Sequence, residues 1–97
     1  VGNHAFALRI TGDSMEPIFN CRDIIVVDPD SAVSSGDYVV AKIHNDDGHN
    51  GDATFKKYIE DGSKVILRAL NPAYDPIDMT GKSFCIVGKV VSRITDF

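Results

Sequence analysis

Among the residues able to do chemistry, Ser14 stands apart because of its setting. It lies in Thr11-Gly12-Asp13-Ser14-Met15-Glu16-Pro17, directly after a strand-like run. A glycine permits a backbone turn that other residues resist, and a proline fixes φ and withholds an N–H. Together they would hold Ser14 on a stiff, exposed loop with its Oγ projecting. A serine hydroxyl is a weak nucleophile until a nearby base takes its proton. None of the three histidines has an evident claim to that work. Lys56 does, because it interrupts the strand-like stretch Thr54-Phe55-Lys56-Lys57-Tyr58, where burial would favour its neutral form. A free lysine titrates near about 10.4, so acting as a base near neutral pH costs the charged form about 4 kcal/mol. A solvated lysine cannot meet that demand, but desolvation by apolar neighbours can. Phe19, Ile43 and Tyr58 are candidate walls by residue type. Main-chain N–H groups of the loop, at Ser14 and Met15, are the natural donors to a developing oxyanion.

The elements that must position these groups read as strands. Phe6 to Thr11 alternates Phe6, Leu8 and Ile10 against Ala7, Arg9 and Thr11, the period-two pattern of a half-buried strand. Met15, Ile18 and Phe19 are spaced for one helical turn beneath the Ser14 loop, with Asp13 as its N-cap and Met15 as core filler. Ile24-Ile25-Val26-Val27 is β-branched throughout and reads as a strand buried on both faces. Tyr38 to His44 is a third strand, and a polar tip from Asn45 to Asp52 leads to a fourth over 53–59. There Phe55, Lys57 and Ile59 share one face while Thr54, Lys56 and Tyr58 share the other. The two lysines therefore point opposite ways, and the pattern alone does not say which one faces Ser14. Asp61-Gly62 signals a tight turn into a return strand over 64–70. Asn71 to Met79, with Pro72 and Pro76, reads as a loop, and Phe84 to Ile94 as the last strand, Gly88 marking a bulge or close backbone approach. About six strands with short connections predict a mainly β fold, a twisted antiparallel β-barrel or roll.

Composition sets the outer limits. Ninety-seven residues make one domain with a modest core, and no apolar run approaches the roughly 20 residues of a membrane-spanning helix. Cys21 and Cys85 are far apart and read as free core thiols of a cytoplasmic protein. Residues 1–50 carry three basic and eight acidic side chains, and residues 51–97 seven and six. DNA binding depends on basic side chains displacing counterions from phosphates, so this acidic domain is a poor candidate for it. His44, Asp46, Asp47, His49 and Asp52 fit neither a calcium loop nor a zinc spacing and read as a solvated hairpin tip. No metal or other cofactor is expected.

Gly12-Asp13-Ser14-Met15 and Phe55-Lys56-Lys57, 42 residues apart from serine to first lysine, resemble the self-cleaving peptidase domain of LexA-type repressors. The closest parallel is the C-terminal domain of lambdoid phage repressors. The resemblance continues through Leu70-Asn71-Pro72-Ala73-Tyr74 and Ile86-Val87-Gly88-Lys89-Val90-Val91, and so covers most of the chain. It selects Lys56 as the base and Ser14 as the nucleophile of a serine–lysine dyad, in a LexA/signal-peptidase-like fold. It implies self-cleavage in a segment N-terminal to residue 1, typically at Ala-Gly or Cys-Gly, neither of which occurs here. It further implies dimerisation, stimulation by a RecA filament in the DNA-damage response, and operator binding through an N-terminal helix-turn-helix domain. Residues 1–97 would then be the C-terminal peptidase and dimerisation fragment of a longer repressor. Two alternatives share these residues: an oligomerisation module whose dyad is idle, and a UmuD-like polymerase accessory subunit. A membrane-associated signal peptidase is disfavoured by the absence of a membrane-spanning stretch.

Overall fold

A computed structural model of the protein describes residues 3–44 and 50–94. The described residues form seven strands and no helix: β1 (Phe6–Arg9), β2 (Ile24–Asp28), β3 (Tyr38–His44), β4 (Asn50–Asp61), β5 (Lys64–Arg68), β6 (Ile77–Asp78) and β7 (Phe84–Ile94). They make one sheet in the order β1-β2-β7-β3-β4-β5-β6, with every neighbouring pair antiparallel. The mainly β, antiparallel architecture is the one the alternation implies. The sheet stays open, with β1 and β6 at its two ends. The strand beyond the expected six is β6, two residues inside the proline-containing connection, pairing Ile77 with Leu67 and Asp78 with Ile66. β4 starts earlier than the alternation suggests, at Asn50, and the remainder of the expected hairpin tip, residues 45–49, lies outside the described residues.

Each face of the sheet carries its own cluster. Ile10, Met15, Phe19, Ile25, Val27 and Val40 are buried together on one side, and Val39, Ala41, Leu67 and Met79 on the other. β3 serves both, because successive side chains alternate and its neighbours cover it on both faces: Val39, Val40 and Ala41 are all buried. β2 is less symmetrical than its composition suggests, with Ile25 and Val27 buried and Ile24 and Val26 half-buried. The two cysteines depart from expectation. Both are free and exposed, not core thiols. Cys21 sits in the turn before β2, and Cys85 stands opposite the exposed Lys42 in the register of β7 on β3. Between strands, the β4–β5 hairpin closes from the pair Asp61–Lys64 with Gly62 at φ 63°, the left-handed conformation that glycine tolerates best.

β7 joins β2 to β3 and needs two irregularities to do so. Its register slips against β3 between Val40 and Ala41, and against β2 between Val26 and Val27. Gly88 lies at the crossing. A Cβ there would meet Val27 Cγ1 at 2.6 Å and the Asp28 carbonyl carbon and oxygen at 3.0 Å. Two of those atoms are backbone, so the neighbours cannot simply rotate away. Gly88→Ala is therefore expected to destabilise the domain by about 1–3 kcal/mol, the usual cost of overpacking a core. Chemical denaturation checks this, and an unchanged midpoint would remove the close approach as the reason for glycine.

Candidate active site

The loop that carries Ser14 is fastened at both ends. Where β1 gives out, the Ile10 N–H donates to the Asp23 carbonyl at 2.8 Å and the Arg22 N–H to the Ile10 carbonyl at 3.0 Å. Gly12 turns the chain with φ 81°, and the Phe19 N–H donates to the Met15 carbonyl at 2.9 Å, closing a single helical turn. Met15 and Phe19 point into the core, whereas Ile18 is 52% exposed and does not join them. Phe19 meets Phe55 and Tyr38 edge-on, with centroids 4.9 and 5.0 Å apart, arrangements that aromatic quadrupoles favour. The base of the loop is thus packed on β3 and β4. Asp13 caps the turn through its carbonyl, which accepts from the Glu16 N–H at 3.1 Å, and its carboxylate accepts from the Tyr74 hydroxyl instead.

β4 brings the lysine. In its register with β3, Lys56 stands opposite Val39 and Thr54 opposite Ala41, so both point to the face of the second cluster. Lys57 stands opposite Tyr38 and points the other way. Of the three candidate walls, Ile43 and Tyr58 pack on the cluster of the lysine's own face, while Phe19 belongs to the opposite cluster. Lys56 is half-buried, and its Nζ reaches Ser14 Oγ at 3.0 Å. It also donates to Thr54 Oγ1 at 3.0 Å and to the Phe55 carbonyl at 3.2 Å. Burial holds its pKa below the ordinary lysine range, because desolvation penalises the charged form. Neither ion pair among the described residues involves it.

Chemically, this pair can activate a hydroxyl. A charged Lys56 donates to Oγ, and a neutral one can accept the Oγ proton at the same distance. A cleft of about 80 Å³ opens beside it, lined by Leu8 to Thr11, Ile25, Val40 and Ala53 to Phe55. Among the described residues, no group of three or more His, Cys, Asp or Glu side chains is placed to hold a metal ion. Ser14 and Lys56, the pair that the resemblance selects, lie within hydrogen-bond distance of each other, and Lys57 does not share their face. Thr54 was not singled out by that pattern, although its place two residues before Lys56 on the same strand face was the available signal. The contacts of Asn71 and Tyr74 with residues 13 and 14 had no local signal.

An antiparallel sheet here presents a serine loop to a half-buried lysine. The family comparison agrees, since the Peptidase S24-like model matches residues 1–91, and the chain belongs to that family. Similar proteins include an HTH-type transcriptional regulator for conjugative element R391 from Providencia rettgeri, 43% identical over 95% of this chain and 43% of its own length. A prophage repressor, CohE, from Escherichia coli is 37% identical over 93% of this chain and 39% of its own. A LexA repressor from Mycobacterium leprae is 39% identical over 92% and 35%. The chain thus spans less than half the length of these relatives.

Proposed function

We propose that residues 1–97 are the C-terminal peptidase domain of a longer transcriptional repressor and cut one peptide bond in the segment preceding them. The observation that carries this reading is the 3.0 Å approach of Lys56 Nζ to Ser14 Oγ. Neutral Lys56 takes the Ser14 proton as Oγ attacks the scissile carbonyl carbon. The Ser14 and Met15 N–H groups hold the resulting oxyanion. Collapse breaks the C–N bond, Lys56 returns its proton to the leaving amine, and an acyl-enzyme remains on Ser14. Water, deprotonated by Lys56, then releases the acid product and restores the serine. The cleft between the end of β1 and β4 adjoins the dyad through Thr54, whose hydroxyl accepts from Lys56 Nζ. The direct test is incubation of the full-length protein, with fragments resolved by mass: one cut upstream of Val1 is expected, and Ser14→Ala should prevent it.

In this reading operator DNA is bound by an upstream domain, a RecA filament stimulates the cut, and the protein works in the cytoplasm. Among the described residues no helix is long and apolar enough to cross a membrane. The peptidase domain also pairs with itself, and a second feature favours this. β3 pairs with β7 only as far as Lys89, so Val90 to Ile94 has β2 on one side and, among the described residues, no strand on the other. Beside that edge is a cleft of about 320 Å³ lined by Ile18, Phe19, Tyr38 and Val90 to Arg93. Ile18, Val91 and Ile94 are exposed apolar side chains. An open strand edge next to apolar surface is a template for pairing, most often two-fold. Sedimentation should show a dimer at micromolar concentration, weakened by Val91→Lys; a strict monomer at high micromolar concentration would count against it.

A further inference from the structure

The segment that follows β5 grips the Ser14 loop from a side the dyad does not use. Ala69 is buried and Leu70 packs on the first cluster, which anchors the segment before it reaches the loop. The half-buried Asn71 then makes two bonds to adjacent peptides of that loop. Its N–H donates to the Ser14 carbonyl at 2.9 Å, and its Nδ2 donates to the Asp13 carbonyl at 3.0 Å. Asn71 Oδ1 accepts from the Ala73 N–H at 2.9 Å, which fixes how the side-chain amide is turned. Tyr74 closes the arrangement: its N–H donates to the Asn71 carbonyl at 3.1 Å, and its hydroxyl donates to the Asp13 carboxylate.

A trans peptide is planar, so the direction of a carbonyl dictates the direction of the N–H that follows it. The only cis bond among the described residues is Glu16–Pro17, beyond this stretch. Fixing the Asp13 carbonyl therefore aims the Ser14 N–H, and fixing the Ser14 carbonyl aims the Met15 N–H. We propose that Asn71 is a positioning residue that aims both oxyanion donors, with Tyr74 supporting it through Asp13. The inference rests on the serine–lysine reading above and adds to it a reason for the loop's rigidity. Oxyanion donors act through preorganisation, so a loosened loop costs rate without touching Ser14 or Lys56.

The test follows the first-order self-cleavage rate of the full-length protein against pH, with thermal melts run beside it. Asn71→Ala is expected to lower the rate about tenfold at every pH, the effect of losing about one hydrogen bond. The pH midpoint should stay in place, since Lys56 keeps its surroundings. Tyr74→Phe and Asp13→Ala should each cost a few-fold, and the double variant no more than the worse single, because both delete one bond. Asp13→Asn, which keeps an oxygen acceptor, should recover most of the rate. Tyr74 is 45% exposed, so its phenylalanine variant supplies a folded test even if Asn71→Ala melts early. A folded Asn71→Ala or Tyr74→Phe protein cutting at the parental rate would overturn the proposal. So would additive losses at Asp13 and Tyr74, or a moved midpoint with an unchanged plateau. Ser14→Ala, run in parallel, separates the two levels: if it still cuts, the dyad reading has failed, and if it is inert while the Asn71 and Tyr74 variants are intact, only this inference has.

Discussion

Ser14→Ala should abolish self-cleavage at every pH, and Lys56→Ala should lower it by about 100-fold or more, the share a general base commonly contributes. The first substitution removes the oxygen proposed to attack. The second removes the amine 3.0 Å away that is proposed to take its proton. Lys57→Ala is the informative control, because the neighbouring lysine has the same chemistry and only its face differs. It stands opposite Tyr38 on the other side of β4, and its loss should leave the rate within about threefold. Fragment formation measured by gel densitometry or mass spectrometry distinguishes the three variants. An inactive Lys57→Ala with an active Lys56→Ala would mean that the reacting face of β4 is the wrong one.

The second large effect is on pH. Protonated lysine cannot accept the Ser14 proton, so the proposed mechanism runs through the neutral form. While Lys56 is mostly charged, each unit rise in pH should raise the rate about tenfold, and the curve should flatten once the lysine is neutral. Burial holds the Lys56 pKa below its ordinary value of 10.5, so the bend should fall on the acidic side of that value. The sign is fixed by the cause: desolvation disfavours the ammonium, and a lower pKa means more neutral base at a given pH. Rates of the isolated full-length protein between pH 7 and about 10 test this. A flat profile, or a rate that falls with pH, would remove Lys56 as the base.

Much of this was legible in the residues. The β-branched run Ile24 to Val27 and the alternations in β1 and β4 reveal strands because side-chain period is a local property. Ser14 is marked by Gly12 and Pro17, and the apolar stretch around Lys56 and Lys57 marks a lysine there, with the choice of Lys56 left to the family resemblance. What stayed hidden depends on which strands meet. Cys85 looks like a core residue by type, yet the register of β7 on β3 sets it beside Lys42 at the surface. Ile18 shares the helical spacing of Met15 and Phe19, but one turn of chain buries only part of its circumference, and Ile18 is left outside. β6 escapes notice because two residues carry no period. Asn71 to Tyr74 looks like a proline-broken loop, and nothing local says that it reaches back 58 residues from Asn71 to Asp13.

The place of β7 decides what keeps Ser14 and Lys56 within reach of each other. Ser14 rides on the β1–β2 pair and Lys56 on the β3–β6 array, and within the sheet, among the described residues, these halves are hydrogen-bonded to each other only through Phe84 to Ile94. Without that strand the two groups would sit on separate pieces of sheet, linked by the packing of Phe19 on Tyr38 and Phe55 and by the bonds of Asn71 to the Ser14 loop. That strand thus acts as a clasp between the half of the sheet that carries Ser14 and the half that carries Lys56.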